Sequence, residues 1–111
     1  MTARRFAVEW MEPARLDLEA IATHLWFEAP LRAEKILDRI IDRGEALRSL
    51  PARGRVVPEL RDIGERAWLE VQEPPWRLIY RVIGKTVEIH GVLDSRRHLD
   101  GVLRERMLRS R

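Results

Sequence analysis

The sequence contains no cysteine, which excludes a disulfide framework and any thiolate metal site and fits a reducing compartment. No apolar run approaches the roughly 20 residues that span a bilayer. Residues 1–5 lead into a strand-like segment and not into a long apolar stretch, so no signal peptide is expected, and the chain reads as soluble and cytoplasmic. Tyrosine occurs once, as Tyr80, and only Lys35 and Lys85 of the 21 basic residues are lysine. The rest are arginine. High genomic G+C content produces such a bias, but its physical consequence holds regardless. Arginine offers a planar donor fork suited to phosphate and carboxylate, so an acidic partner, nucleic acid or acidic peptide, fits the net charge of +3. At 111 residues the expectation is one domain, 1–111, able to bury a moderate core without staples.

Along the chain, Phe6, Val8 and Trp10 alternate with Ala7 and Glu9, a first strand. Pro13 suits the first turn of a helix, in which Leu18, Ile21, Ala22, Leu25 and Trp26 form one apolar stripe. Pro30 lies in a short link to a second helix with a stripe of Ala33, Ile36, Leu37, Ile40, Gly44 and Leu47. The link makes the two an antiparallel hairpin. Gly44 in a helix costs about 1 kcal/mol relative to alanine, which a close approach to a neighbour would explain. Residues 51–58, with two prolines and Gly54, read as a loop. Residues 66–72 read as a strand with Ala67, Leu69 and Val71 on one face and Trp68, Glu70 and Gln72 on the other. A final segment, 99–111, has Leu99, Val102, Leu103, Arg106 and Met107 at helical spacing but is short and arginine-rich, marginal as an isolated helix.

Two further strands, 76–82 and 86–92, flank Gly84-Lys85, a two-residue hairpin turn. That turn sets a register with Trp76, Leu78, Tyr80, Val82, Val87, Ile89, Gly91 and Leu93 on one face and Arg77, Ile79, Arg81, Glu88, His90 and Val92 on the other. The fold expected is α+β: a small twisted antiparallel sheet, in the order β-α-α-β-β-β with a further C-terminal helix, packed on an N-terminal helical hairpin. Two helices cover one face of so small a sheet. The other face is expected to be open, presenting Trp68, Glu70, Gln72, Arg77, Ile79, Arg81, Glu88 and His90. Arg81 opposite Glu88 reads as a cross-strand ion pair. Trp10, Trp26 and Trp76 read as core, whereas an exposed Trp68 would mark a partner-binding surface.

Four stretches together resemble the RelE/ParE superfamily of bacterial toxins. They are the opening helix with Ala14, Leu16, Asp17, Leu18 and Ile21; the loop Pro51-x-x-Gly54-Arg55-x-x-Pro58-Glu59-Leu60, similar to that of the ParE branch; the strand Trp76-Arg77-Leu78-Ile79-Tyr80-Arg81-Val82; and the last strand ending in Asp94-Ser95-Arg96-Arg97. The resemblance covers nearly the whole chain. It implies a toxin of a type II toxin–antitoxin module, associated with plasmid stabilisation and growth inhibition, and neutralised by a cognate antitoxin. That antitoxin would lie across the helical hairpin and a sheet edge. A homodimer or a toxin–antitoxin heterotetramer is compatible with it. No cofactor or metal is implied.

The superfamily divides in its target. RelE-like members cut mRNA on the ribosome; ParE-like members inhibit DNA gyrase. Metal-free RNA cleavage needs a base, an acid and cations for the phosphate. By resemblance Arg77 and Arg96 match phosphate-binding arginines, Glu59 lies near a catalytic glutamate of some related ribonucleases, and Glu70 or His90 offers a base. Where those ribonucleases carry two lysines this chain has Trp68 and Glu70. Their C-terminal tyrosine has no counterpart, because Tyr80 is expected in the core, and His98 matches their terminal histidine only loosely. These departures favour the ParE-like reading, a non-enzymatic gyrase inhibitor with Arg96, Arg97 and Trp68 as target contacts. A metal-independent ribosome-dependent endoribonuclease is the alternative, and a non-toxic member that only binds antitoxin is a third.

Overall fold

The computed structural model describes residues 5–109; the N-terminal 1–4 and the last two positions of the tail lie outside them. β1 (Ala7–Trp10) leads into α1 (Glu12–Glu28), which has a proline in its first turn, and then into α2 (Ala33–Glu45), extended by a single 3-10 turn at Ala46–Arg48. A two-residue β2 (Arg55–Val56) and a one-turn α3 (Pro58–Arg61) follow, then β3 (Leu69–Glu73), β4 (Trp76–Ile83), β5 (Thr86–Asp94) and α4 (Asp100–Arg109). The sheet order is β1-β5-β4-β3-β2.

β2 through β5 pair antiparallel, but β1 pairs in parallel with β5, so the sheet is mixed where an all-antiparallel one was expected. The connection from β1 to β5 runs through α1, α2 and the three intervening strands, far longer than a parallel pair needs. α1 and α2 cover one sheet face with Ala14, Ile40 and Leu47 against Val71, Leu78, Tyr80, Val87, Ile89 and Val92. Gly44 lies where α2 meets the sheet: a Cβ there would sit 2.5 Å from the Trp10 ring and 2.9 Å from Ile89. That approach outweighs the helix propensity lost. The Trp10 indole donates to Glu45 at 2.8 Å, which holds the ring against the bare backbone. Trp26, expected in the core, is instead 54% exposed at the end of α1.

The opposite face is not open. α3 and α4 cover it, forming a second core of Val57, Leu60, Trp68, Ile79, Leu93, Leu99, Leu103 and Met107. Helices therefore flank the sheet on both sides, and the segment that read as marginal alone is a packed helix. Its Leu103 and Met107 reach the sheet, so tertiary burial supplies what its own propensity lacks.

The β4–β5 register holds from the Gly84 turn as far as Tyr80 opposite Ile89, then slips by one residue, so that Ile79 faces Gly91 and Leu78 faces Val92. His90 is the extra residue of a β-bulge. Beyond it every side chain of β5 changes face relative to strict alternation. Gly91 and Leu93 lie toward α4 and Val92 toward the helical hairpin, correcting the expected placement of all three.

Where β1 ends, Asp17 of α1 takes over the β5 edge. Its carboxylate accepts the Val92 N–H at 2.9 Å and Arg106 Nη1 at 2.6 Å, joining α1, β5 and α4. The outer edge of β1 is itself engaged: Phe6 N–H donates to the Arg48 carbonyl and Arg15 donates to the Trp10 carbonyl.

Candidate functional site

The loop before α3 is set by one hydroxyl. Tyr80 is fully buried, and its phenolic oxygen donates to the Pro51 carbonyl at 2.7 Å and accepts the Gly54 N–H at 2.9 Å. A Cβ on Gly54 would lie 2.5 Å from the Glu70 carbonyl oxygen, so the strand can pass there only as glycine. The Pro-x-x-Gly spacing thus fits the chain around the tip of Tyr80. Next, Arg55 sits directly across from Glu70, and Pro58 opens the turn that carries Glu59, seated by buried Val57 and Leu60.

These elements converge on Arg77. Its Nη1 and Nη2 donate to the two Glu59 oxygens at 2.7 and 2.8 Å. Its Nε donates to Glu70 Oε1 at 2.9 Å, and Nη2 bonds the same oxygen. The other Glu70 oxygen accepts from Arg55 Nε at 2.8 Å. Arg77 is 6% exposed and Glu70 1%. The mutual pairing raises the Arg77 pKa above its usual value and holds the Glu59 carboxyl below the usual 4.5, in both cases chiefly through their side-chain hydrogen bonds to each other. The network is an arginine clamped between two carboxylates beneath α3. Four of its five N–H donors are thus taken by the two carboxylates.

A second cluster lies toward the hairpin turn. Glu88 Oε1 accepts from Arg81 Nε at 3.0 Å and lies 3.0 Å from His90 Nε2, confirming the expected cross-strand pair. Its carboxyl is lowered first by the His90 bond and then by Arg81. Trp68 fills the centre, with the Arg81 guanidinium 4.9 Å above its ring and the His90 ring edge-on at 4.9 Å. Trp68 is 1% exposed. It was expected on an open face as a contact residue; the packing of α3 and α4 places it in the core. His90 is likewise buried and separate from the Arg77 clamp in its bonding.

The third group is the turn after β5. Asp94 accepts from the Arg96 backbone N–H at 2.9 Å, from Arg96 Nε at 3.0 Å and from Arg96 Nη2 at 2.8 Å. These bonds, led by the side-chain pair, lower the Asp94 carboxyl from 3.8 to about 2. Ser95 ties the turn to the Pro75 carbonyl through both its hydroxyl and its N–H. Arg96 and Arg97 are exposed, as is His98.

The structure therefore gathers Arg77, Glu70 and Glu59 in one buried network, puts His90 in another, and leaves Arg96 and Arg97 together on the surface. The sequence reading did not assign Arg55 to the site, although it stands inside the Pro-x-x-Gly-Arg motif, nor the Tyr80 hydroxyl, whose tyrosine it assigned only to packing. Among the described residues no cluster of histidine and carboxylate suits a metal ion, and no helix is long and apolar enough to cross a membrane.

Acid should loosen this architecture in a defined window. Glu59, Glu88 and Asp94 all have lowered pKa values in the folded chain. Their contribution is complete above the unfolded carboxylate values and disappears as pH falls through the folded ones. The thermal midpoint is expected to decline from about pH 4.5 down to about 2, and Glu59→Gln should flatten the upper part of that decline. A midpoint constant through the window would contradict the assignment.

Residues 8–99 match the family described as the ParE toxin of type II toxin–antitoxin system, parDE. Among solved structures, the chromosomal ParDE toxin–antitoxin system from P. aeruginosa superposes with a TM-score of 0.69 at 21% identity, covering 82% of this chain and 97% of that one. The toxin–antitoxin complex RelBE2 from Mycobacterium tuberculosis gives a TM-score of 0.61 at 22% identity, covering 84% and 94%. At these identities the structural likeness speaks for the fold. No curated protein sequence matches the chain.

Proposed function

The chain belongs to the ParE toxin family of type II toxin–antitoxin systems, and from that premise we propose that it acts in the cytoplasm as a non-enzymatic toxin that binds and inhibits DNA gyrase, restrained by a cognate antitoxin. The observation that carries this reading is the state of Arg77. An arginine that stabilises a phosphorane must present free donors to an accessible phosphate; here both carboxylates of the clamp take them. The arginines left at the surface, Arg96 and Arg97, stand on a turn fixed by Asp94 and Ser95, which suits recognition of an acidic surface or a DNA backbone.

The antitoxin reading is supported by a groove of about 800 Å³ between α2 and the β3–β4 turn, floored by Ile36, Pro75 and Trp76 and rimmed by charges of both signs. With the β1 edge engaged by Arg15 and Arg48, side-chain docking in such a groove is favoured over strand addition.

A supercoiling assay with purified protein tests the target. The chain is expected to inhibit gyrase, and Arg97→Ala to raise the amount required by about tenfold or more, as loss of an interface arginine does. Normal supercoiling at large toxin excess would remove gyrase as the target. Cleavage of ribosome-bound mRNA in a translation extract would instead establish the endoribonuclease alternative, and unimpaired growth on expression of the chain alone would point to a non-toxic member.

A further inference from the structure

β5 outruns its neighbour. β1 pairs with it only as far as Trp10 opposite Ile89, and β5 continues to Asp94. Beyond that point a cleft of about 640 Å³ opens between α1, the end of β5 and the start of α4. Val92 stands opposite Leu78, and Asp94 opposite Trp76, in β4. The Val92 N–H turns away from β4, to Asp17, so alternation along the ladder turns the Val92 carbonyl and both main-chain groups of Asp94 the same way. The Asp94 carbonyl is closed by the Arg97 N–H at 3.1 Å. Among the described residues no hydrogen bond takes the Val92 carbonyl or the Asp94 N–H. The open edge is thus one residue long, with Asp17 at one end and the Arg97 turn at the other. It has no room for an added strand.

An acceptor on Val92 and a donor on Asp94 are the groups by which a parallel neighbour would be held opposite Leu93. A ligand there runs as β5 runs, with its C-terminal end toward the turn of Arg96 and Arg97, where its chain must stop. The charges agree. Three arginines and two aspartates line the cleft. Asp17 is paired with Arg106 and Asp94 with Arg96, which leaves Arg97 without an ion pair among the described residues. We propose that the cleft captures a free C-terminal carboxylate, that of a partner chain ending in an apolar residue. The last N–H of that chain donates to the Val92 carbonyl, one carboxylate oxygen accepts the Asp94 N–H, and Arg97 takes the other. Its last side chain lies on the Leu93 face of β5, against Leu99 and Val102, which line the cleft there. A DNA phosphate is a poorer match, because the Val92 carbonyl needs a donor opposite it and a DNA backbone offers none. As a point of target contact the cleft rests on the reading of Arg97 given above; as a binding site it does not.

Fluorescence polarisation with a fluorescein-labelled tetrapeptide ending in leucine tests it, against the same peptide as its C-terminal amide. The free acid is expected to bind saturably, and the amide about tenfold or more weakly, since it lacks the charge that Arg97 pairs with. Arg97→Ala should weaken the free acid by about tenfold or more. Arg104→Ala removes an equal charge from an exposed position of α4 outside the cleft and should change binding by less than about twofold. Val102→Glu should abolish binding by setting a carboxylate against that of the ligand. An acidic residue in the first turn suits a helix, so circular dichroism melts should show the fold of this variant kept. Methylating the last N–H of the peptide should cost as much as amidation. Equal binding of acid and amide, no saturable binding up to about 1 mM peptide, equal losses at Arg97 and Arg104, or a thymidine oligonucleotide that binds more tightly than the peptide would each overturn the proposal. Supercoiling assays on the same variants separate it from the gyrase reading. Inhibition lost in Arg97→Ala, with no peptide bound by the wild-type chain, removes the carboxylate site alone. Peptide bound by a chain that leaves supercoiling normal upholds the site and removes gyrase alone.

Discussion

Arg77→Ala is expected to destabilise the fold by about 3–5 kcal/mol, the usual result of removing one partner from a buried ion network. The reason lies in what remains. Glu70 keeps a side chain with no solvent exposure, offset by Arg55 and a long bond from Gln72 on one oxygen alone, and Glu59 loses both of its charge-assisted bonds. Against a total stability of about 5–15 kcal/mol for a typical domain, such a loss leaves a substantial unfolded fraction, so the variant's toxicity by itself says little about chemistry. The informative comparison is Arg77→Met combined with Glu59→Leu and Glu70→Met. Replacing a whole buried ion network by apolar residues is often neutral or stabilising, so urea unfolding should show most of the stability restored. If the clamp only holds α3 in place, the triple variant remains toxic; if Arg77 handles phosphate, it is stable and inert. A single Arg77→Ala loss below about 1 kcal/mol would show that the carboxylates find other partners.

Trp68→Ala should have a comparable effect, about 3–5 kcal/mol, which for a chain of this length corresponds to a fall in thermal midpoint of roughly 15–30 °C. The indole is the largest fully buried side chain and the platform for both Arg81 and His90. Trp68→Phe should recover part of the loss by refilling the volume. Unchanged stability together with lost binding to a partner would instead mean that Trp68 is a contact residue after all and that α4 leaves the sheet in solution.

The difference between these expectations and the reading of Trp68 from sequence has a physical source. Alternation along β3 correctly assigned Trp68 and Glu70 to the same face, and the glycine turn correctly put Arg81 across from Glu88. Burial depends on what lands on that face, and periodicity within a strand does not reveal it. The covering elements are four residues of α3 hidden in a proline-flanked loop and a ten-residue α4 rich in arginine. Both are too short to announce themselves by propensity. Leu99, Leu103 and Met107 were visible at helical spacing, and with Ile79 and Trp68 they were the available sign of a second core. The bulge at His90 left a single trace, the glycine that follows it: Gly91 inside the strand pattern marks a place where a bulge can form, but strict alternation passes over it. Likewise the Arg77 clamp combines residues from three separate segments, Glu59, Glu70 and Arg77, and a spacing motif such as Pro-x-x-Gly-Arg-x-x-Pro-Glu records only one of them.

The Asp17 junction has a consequence for how the molecule comes into being. Its two hydrogen bonds connect residues 75 and 89 positions apart, and the parallel pairing of β1 with β5 spans nearly as far. Contacts of such long sequence separation close late, because the loop between their ends must be ordered first. During synthesis the helical hairpin can form early, but β1 has no neighbour until β5 has been made, and α1 cannot be tied to α4 until Arg106 has been made. A nascent chain that stops short of β5 therefore holds a helical pair and an unfinished sheet, with β1 left unpaired. Native structure waits on the segments made after the hairpin, not on the hairpin itself.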